Sequence, residues 1–324
     1  MSSIDQPSTS DAAGANRTRR RAALRAYLGK HRIGRSAVAG TPTLWLVLFF
    51  MVPFIIVLKI SFSEAVLAMP PYLPLWQWVG ERALAVRLNF TSYNYLFTDS
   101  LYISSYLYSL KVAAVSTVAC LLLGYPMAYG IARSSPTRRN VLLMLVILPF
   151  WTSFLLRVYA WIGLLKSNGV INNVLLALGV THEPITMMQT DFAVYIGIVY
   201  SYVPFMILPL YANLEKHDHT LLEAAADLGA SPTKAFFRIT LPLSVPGIVA
   251  GALLVFIPAV GEYVIPSLLG RSDQLMIGRV LSDEFFANRD WPVASAVAIA
   301  MLVLLVVPIM LFQRYQNRDL AARQ

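Results

Sequence analysis

Six stretches of the chain stay apolar for about the 20 residues that a helix needs to cross a bilayer. They are Leu44–Phe62, Leu107–Ala132, Val141–Leu165, Phe192–Asn213, Leu243–Leu268 and Val293–Gln313. Polar or basic segments separate them, so the pattern predicts six membrane-spanning helices. Several contain proline: Pro53, Pro126, Pro149, Pro204, Pro209, Pro258, Pro266 and Pro308. In water each would damage its helix. In a packed membrane bundle neighbours re-satisfy the freed carbonyls, so kinks are expected.

Composition supports the bilayer as solvent. Of the 324 residues 57% are hydrophobic and only 13% charged, with a mean hydropathy of +0.61; a soluble domain carries about 25% charged residues. The net charge of +9 does not point to nucleic acid, because eight of the 26 basic residues crowd into the first 35 positions, ahead of the first apolar run. A cytoplasmic anchor has that placement. Arg19-Arg20-Arg21 lies more than 20 residues before that run, which has full spanning length and no clear small-residue cleavage site. It reads as an uncleaved anchor rather than a twin-arginine export signal. A single cysteine, Cys120, rules out a disulfide framework and a paired metal site. The expected organisation is a basic tail over 1–42, a membrane domain over 43–315 and a short tail over 316–324.

Orientation follows from the basic residues. With the N-terminus inside, 17 Lys and Arg residues fall on the cytoplasmic side and six on the other. That asymmetry predicts both termini in the cytoplasm.

The predicted cytoplasmic loop between the fourth and fifth spans holds the most specific pattern. His219–Leu228 is made of helix formers, and Leu221, Leu222, Ala225 and Leu228 are expected to share a face. Gly229 suits the left-handed conformation that ends a helix. Ser231-Pro232 then supplies a cap and a first-turn proline for a new helix, and Pro242 is expected to mark the boundary before the fifth span. Glu223, Ala224, Ala225, Gly229, Ile239, Leu241 and Pro242 stand in the order E-A-A, three residues, G, nine residues, I-x-L-P. This resembles the EAA loop of the membrane subunits of binding-protein-dependent ABC importers. The resemblance implies a six-helix type I importer transmembrane domain, all-α and inserted in a bacterial inner membrane. It also implies that this loop docks as a coupling helix on a cytoplasmic ATPase. An ordinary surface helix is the competing reading.

No nucleotide site is visible: Gly29-Lys30 is followed by His31, and no G-x-x-x-x-G-K-[ST] occurs. Neither a zinc signature nor a nucleophile elbow is present. The chain therefore reads as a transporter subunit and not an enzyme, with no cofactor of its own; ATP and Mg would be bound by the partner ATPase.

Further segments carry a narrower resemblance. Ile147–Trp161, Val194–Met206, Phe256–Pro266, Met276–Val280 and Asn288–Ile299 are similar to polyamine importer permeases, the putrescine type first and the spermidine type next. The similarity covers roughly Thr43 to Gln313. It implies a second homologous permease, an ATPase dimer and a periplasmic polyamine-binding protein as partners, besides membrane lipid.

A polyamine is a flexible aliphatic chain with two to four ammonium groups, so its pathway needs carboxylates and aromatic faces. Glu262 is the one acid well inside a predicted span, about 28 Å from the cytoplasmic start of its helix, with Tyr263 beside it. Trp151, Tyr159, Trp161, Tyr200 and Tyr202 lie at middle to outer depth. Arg157 sits about 24 Å into the third span, a depth that matches Glu262. Two roles for Glu262 follow: a carboxylate of the substrate pathway, or the partner of Arg157 in an ion pair that avoids isolated charge. The aromatic residues have a competing role as an interfacial belt. Asp283, Glu284 and Asp290 read as a solvated outer loop. Two other functions fit the composition: a secondary transporter or channel for organic cations, and an ABC importer of another small solute. The first often shows internal repeats; none is evident here.

Overall fold

The computed structural model describes residues 38–79, 83–218 and 220–321; positions 1–37 of the basic tail and His219 lie outside them. The chain divides into two units, Met1–Lys59 and Ile60–Gln324. Helix α1 runs over Val38–Ser61, six residues earlier than the apolar run suggests, and its Leu44–Phe50 stretch is exposed.

Within the second unit, an antiparallel hairpin of β1 (Trp76–Val79) and β2 (Ala83–Val86) pairs Trp76 with Val86 and Val79 with Ala83. It is an exception to an otherwise helical fold. Then come α2 (Thr91–Thr98), α3 (Ser100–Ala132), α4 (Pro136–Ile147, extended by a tighter turn over Leu148–Trp151), α5 (Phe154–Leu165) and α6 (Val170–Ala177). The long α7 (Asp191–Leu214) leads to α8 (Thr220–Asp227), α9 (Pro232–Val260), α10 (Val264–Leu269), α11 (Ile277–Ser282) and α12 (Trp291–Ala321).

Four helices, α1, α3, α7 and α9, are long and apolar enough to cross a membrane among the described residues, and α12 is apolar over Trp291–Val307. The third predicted span is not one straight helix. It breaks between Trp151 and Phe154, where the chain bends by 90°. Pro149 removes a helical N–H from this stretch, and Thr152 and Ser153 turn to extended backbone. Thr152 closes the broken end by donating its hydroxyl to the Pro149 carbonyl at 2.8 Å. The sixth helix continues to Ala321, past the expected limit at Gln313.

The fifth predicted span is shifted. Pro242 marks no boundary: α9 starts at Pro232 and passes through it. A wider turn over Phe236–Thr240 precedes Pro242, with the Leu241 N–H bonded to the Phe236 carbonyl. The same arrangement stands in α1, where a wide turn over Val47–Met51 precedes Pro53 and the Val52 N–H bonds to the Val47 carbonyl. A proline ring collides with the carbonyl four residues back. A turn widened by one residue just ahead of it gives room without breaking the helix.

Helices α3, α7 and α9 form the packed centre. Helix association in lipid relies on close packing more than on the hydrophobic effect, and glycines provide it here. A β-carbon on Gly251 of α9 would stand 2.7 Å from the Met206 sulfur of α7, and one on Gly197 of α7 would stand 2.8 Å from Ile265 of α10. One buried cluster gathers Cys120, Ala128, Met206, Leu210 and Val255 toward the α8 end. Another gathers Tyr102, Val112, Ile198, Ile265, Leu269, Ile277 and Val297 toward the other end.

Candidate functional site

At the α8 end the local structure follows the sequence closely. Gly229 has φ +76°, the left-handed region. Its N–H bonds to the Ala226 carbonyl at 2.8 Å and that of Ala230 to Ala225 at 2.9 Å, the paired closure of a Schellman motif. Ser231 then accepts from the Lys234 N–H at 3.4 Å, with Pro232 in the first turn of α9. The helix faces differ from expectation. Leu228 is 89% exposed and Leu221 is exposed as well, together with Glu223 and Ala224. Leu222 and Ala225 are half-buried. Leu221 and Leu228 therefore do not join Leu222 and Ala225 on a covered face, because a helix this short lies over the bundle end and covers only one edge. Leu222 and Ile239 line one small cavity with Tyr129, Arg133, Leu214 and His217. Leu241 is half-buried and Pro242 exposed. Nearby, Arg139 of α4 pairs with Glu215 after α7 at 2.5 Å, tying two elements beside the loop.

At the opposite end the decisive group is Glu262. Helix α9 stops at Val260, and Gly261-Glu262-Tyr263 forms a break before α10. The Glu262 side chain is buried, with the residue 7% exposed. Its Oε1 accepts from the N–H of Val264 at 3.0 Å and of Ile265 at 3.4 Å, in the manner of a helix N-cap. Its Oε2 accepts from the hydroxyl of Tyr202 on α7. The break is covered by α11, where a β-carbon on Gly278 would lie 2.4 Å from the Gly261 carbonyl oxygen.

Arg157 is not the partner of Glu262: no ion pair joins them among the described residues. The matched depths assumed an unbroken third span, and the 90° bend removes that premise. Arg157 lies instead over the rings of Phe150, 5.4 Å away, and Phe154, 5.7 Å away. Its Nε and Nη1 are buried with no hydrogen-bond partner among the described residues. Between acid and base stands an aromatic relay. Tyr202 neighbours Phe205 at 6.0 Å, and Phe205 meets Phe150 edge-on at 5.2 Å.

The other candidate rings are less enclosed. Trp151 is 74% exposed, and Tyr159, Tyr200 and Tyr263 are exposed too. Trp161 meets Tyr200 edge-on at 5.5 Å, and both line a groove of about 480 Å³ with Ala119, Leu123, Phe192 and Tyr195. The structure thus brings Tyr202 to Glu262 and Trp161 to Tyr200.

Sequence reasoning missed the polar ties around this end. Asp283, Glu284 and Asp290 are not a free solvated loop. Glu284 accepts from the Tyr102 hydroxyl at 2.8 Å, Asp290 caps α12 through the Val293 N–H at 3.0 Å, and Asp283 stands 3.8 Å from Arg279. Ser109 of α3 accepts from the Ile277 N–H at 2.8 Å. Only the Asp290 cap carried a local signal, an acid three residues before an apolar run.

The model of one protein family, described as binding-protein-dependent transport system inner membrane component, matches residues 120–322, a span that includes α8, the break and α12. The chain belongs to this family. Its relatives include the spermidine/putrescine transport system permease protein PotB of Haemophilus influenzae, 40% identical over 270 residues, covering 83% of this chain and 90% of that protein. PotB of Escherichia coli is 41% identical over 271 residues, covering 83% and 93%. Among solved structures, a bacterial ABC transporter involved in the import of the polysaccharide alginate aligns with a TM-score of 0.61 at 20% identity, covering 89% of this chain and 97% of its own. That likeness shows the shared fold. As a member of the inner membrane component family, the chain is a multi-pass transport subunit of the inner membrane and not an enzyme.

Proposed function

We propose that this chain is one of two permease subunits of an ATP-driven polyamine importer, taking up spermidine and putrescine, and that α8 couples it to a separate ATPase. The observation that carries the reading is the outward face of α8. Glu223, Ala224, Leu221 and Leu228 are exposed on a helix that is fixed at its far end by Gly229 and the Ser231 cap. Exposed leucines beside a carboxylate suit a protein groove better than water. The substrate class rests on relatives at 40% and 41% identity that are named for both polyamines, which favours the pair over putrescine first.

In this reading both termini and α8 face the cytoplasm. A periplasmic binding protein delivers the polyamine at the other end. ATP and Mg are held by the ATPase dimer, whose closure moves α8 and alternates access between the two sides. The exposed rings of Trp151, Tyr159, Tyr200 and Tyr263 offer faces for methylenes and ammonium groups.

The test is uptake of radiolabelled putrescine and spermidine by the complete complex in proteoliposomes. ATP-dependent, vanadate-sensitive uptake is expected. Uptake that persists without ATPase would favour a secondary transporter or channel, and uptake of neither polyamine would move the chain to an importer of another small solute. Labelling of single cysteines in α8 from the cytoplasmic side checks the orientation.

A further inference from the structure

Glu262 has the residue type that a polyamine path calls for, yet its surroundings are those of a structural cap. A carboxylate offers about four acceptor positions. Two on Oε1 are taken by the Val264 and Ile265 N–H groups, and one on Oε2 by Tyr202. What remains belongs to a residue that is 7% exposed, pressed from outside by α11 at Gly278. The charge has a local reason as well. The N–H groups that open α10 carry partial positive charge, and a carboxylate there is favoured over an unpaired one.

The position matters because of what meets there. Glu262 belongs to the break that ends α9, the helix that begins at the coupling loop. Its backbone-bonded oxygen holds the start of α10, and α10 packs its Ile265 and Leu269 against Gly197 of α7. Its other oxygen holds Tyr202, five residues further along α7. One side chain thus joins α9, α10 and α7 at the end remote from α8.

We infer that Glu262 and Tyr202 form a latch that fixes the α9–α10 break against α7, so that Glu262 is a positioning residue and not the carboxylate that receives the substrate's ammonium. The inference rests on the polyamine reading only for the choice of transport assay. The exposed neighbour Tyr263, not Glu262, then presents a surface to the substrate from this break.

Glutamine separates the two roles, since it keeps an acceptor for the two backbone N–H groups and a partner for Tyr202 but has no charge. In the complete complex, Glu262→Gln is expected to hold the apparent KM for spermidine within about twofold and to lower the maximal rate about threefold, because neutral hydrogen bonds are roughly half as strong. Glu262→Ala should cut the maximal rate about tenfold or more, again with KM held, and Tyr202→Phe about threefold. Hydrogen–deuterium exchange gives a readout independent of transport. The Val264 and Ile265 amides should exchange much faster in Glu262→Ala and only slightly faster in Glu262→Gln.

A KM raised tenfold or more in Glu262→Gln, with its maximal rate kept, overturns the inference and makes Glu262 an ammonium ligand. So does unchanged amide exchange in Glu262→Ala. If Glu262→Ala fails to assemble, Tyr202→Phe decides: it keeps the backbone cap and removes the tie to α7, and a wild-type rate there refutes the latch. Failure of the wild-type complex to import any polyamine would refute the substrate reading, while the exchange experiment would still test the latch.

Discussion

Gly278 of α11 lies so close to the carbonyl of Gly261 that a β-carbon on it would stand 2.4 Å from that oxygen and 2.8 Å from the Glu262 oxygen. Both obstacles are backbone atoms and neither can rotate away. Gly278→Ala is therefore expected to lower the stability of the purified complex by about 1–3 kcal/mol, the usual cost of overpacking. Gly163→Ala is the control: it lies in α5 with nothing within 4 Å of its added carbon. It should be neutral or slightly stabilising, since alanine favours helix by about 1 kcal/mol. Thermal unfolding of the two variants in detergent checks the contrast.

The proposed coupling role of α8 is tested at its exposed face. Leu228→Asp leaves the bundle untouched, because Leu228 is almost fully exposed. It places charge where an ATPase groove would take a leucine. Uptake and substrate-stimulated ATP hydrolysis should both fall at least about tenfold, the scale of losing a central interface contact, while membrane insertion stays normal. Glu223→Ala should act in the same direction. Normal uptake in both variants would remove α8 from the docking surface.

Gly229 is tested through its backbone. A side chain at φ +76° costs about 1–2 kcal/mol. Gly229→Ala should lower uptake several-fold without loss of the protein from the membrane. Gly229→Pro, whose ring forbids that φ, should abolish uptake. Immunoblots of membrane fractions beside the uptake assay separate coupling from expression.

Asn172 of α6 is fully buried and makes three backbone contacts. Its amide donates to the carbonyls of Lys166 at 3.1 Å and Ile185 at 2.9 Å, and its oxygen accepts from the Ile185 N–H at 2.9 Å. Asn172→Leu leaves those groups unmet and should cost about 3 kcal/mol. Limited proteolysis should then cut the segment after α6 sooner than in the wild type.

The membrane class and the loop chemistry were legible because they rest on local signals. Apolar runs fix α3, α7 and α12 to within a few residues, except for the early start of α3 and the late end of α12. Gly229 and Ser231-Pro232 behave as their side chains require. Breaks inside apolar runs were not legible. Pro149, expected as a kink within a span, lies where a helix ends, whereas Pro242, expected as a boundary, is absorbed by a widened turn; a proline in the sequence does not by itself say which. The Glu262 environment was hidden for the same reason. A side chain taken to lie within one helix sits between two, and its partner Tyr202 is 60 residues away. Arg157 could not be ruled out as that partner while the third span was taken as unbroken. The hairpin of β1 and β2 left no mark in the apolar pattern either.

The widened turn ahead of Pro242 has a mechanical consequence. It lets a single helix of 29 residues run from the Ser231 cap to Val260, about 43 Å at the helical rise. In the proposed coupling such a member would work as a pushrod: a tilt of about 10° at one end sweeps the other through about 7.5 Å over that length. Leverage of that size needs no chain of successive side-chain shifts across the bilayer, only a stiff connection whose far tip is held against α7.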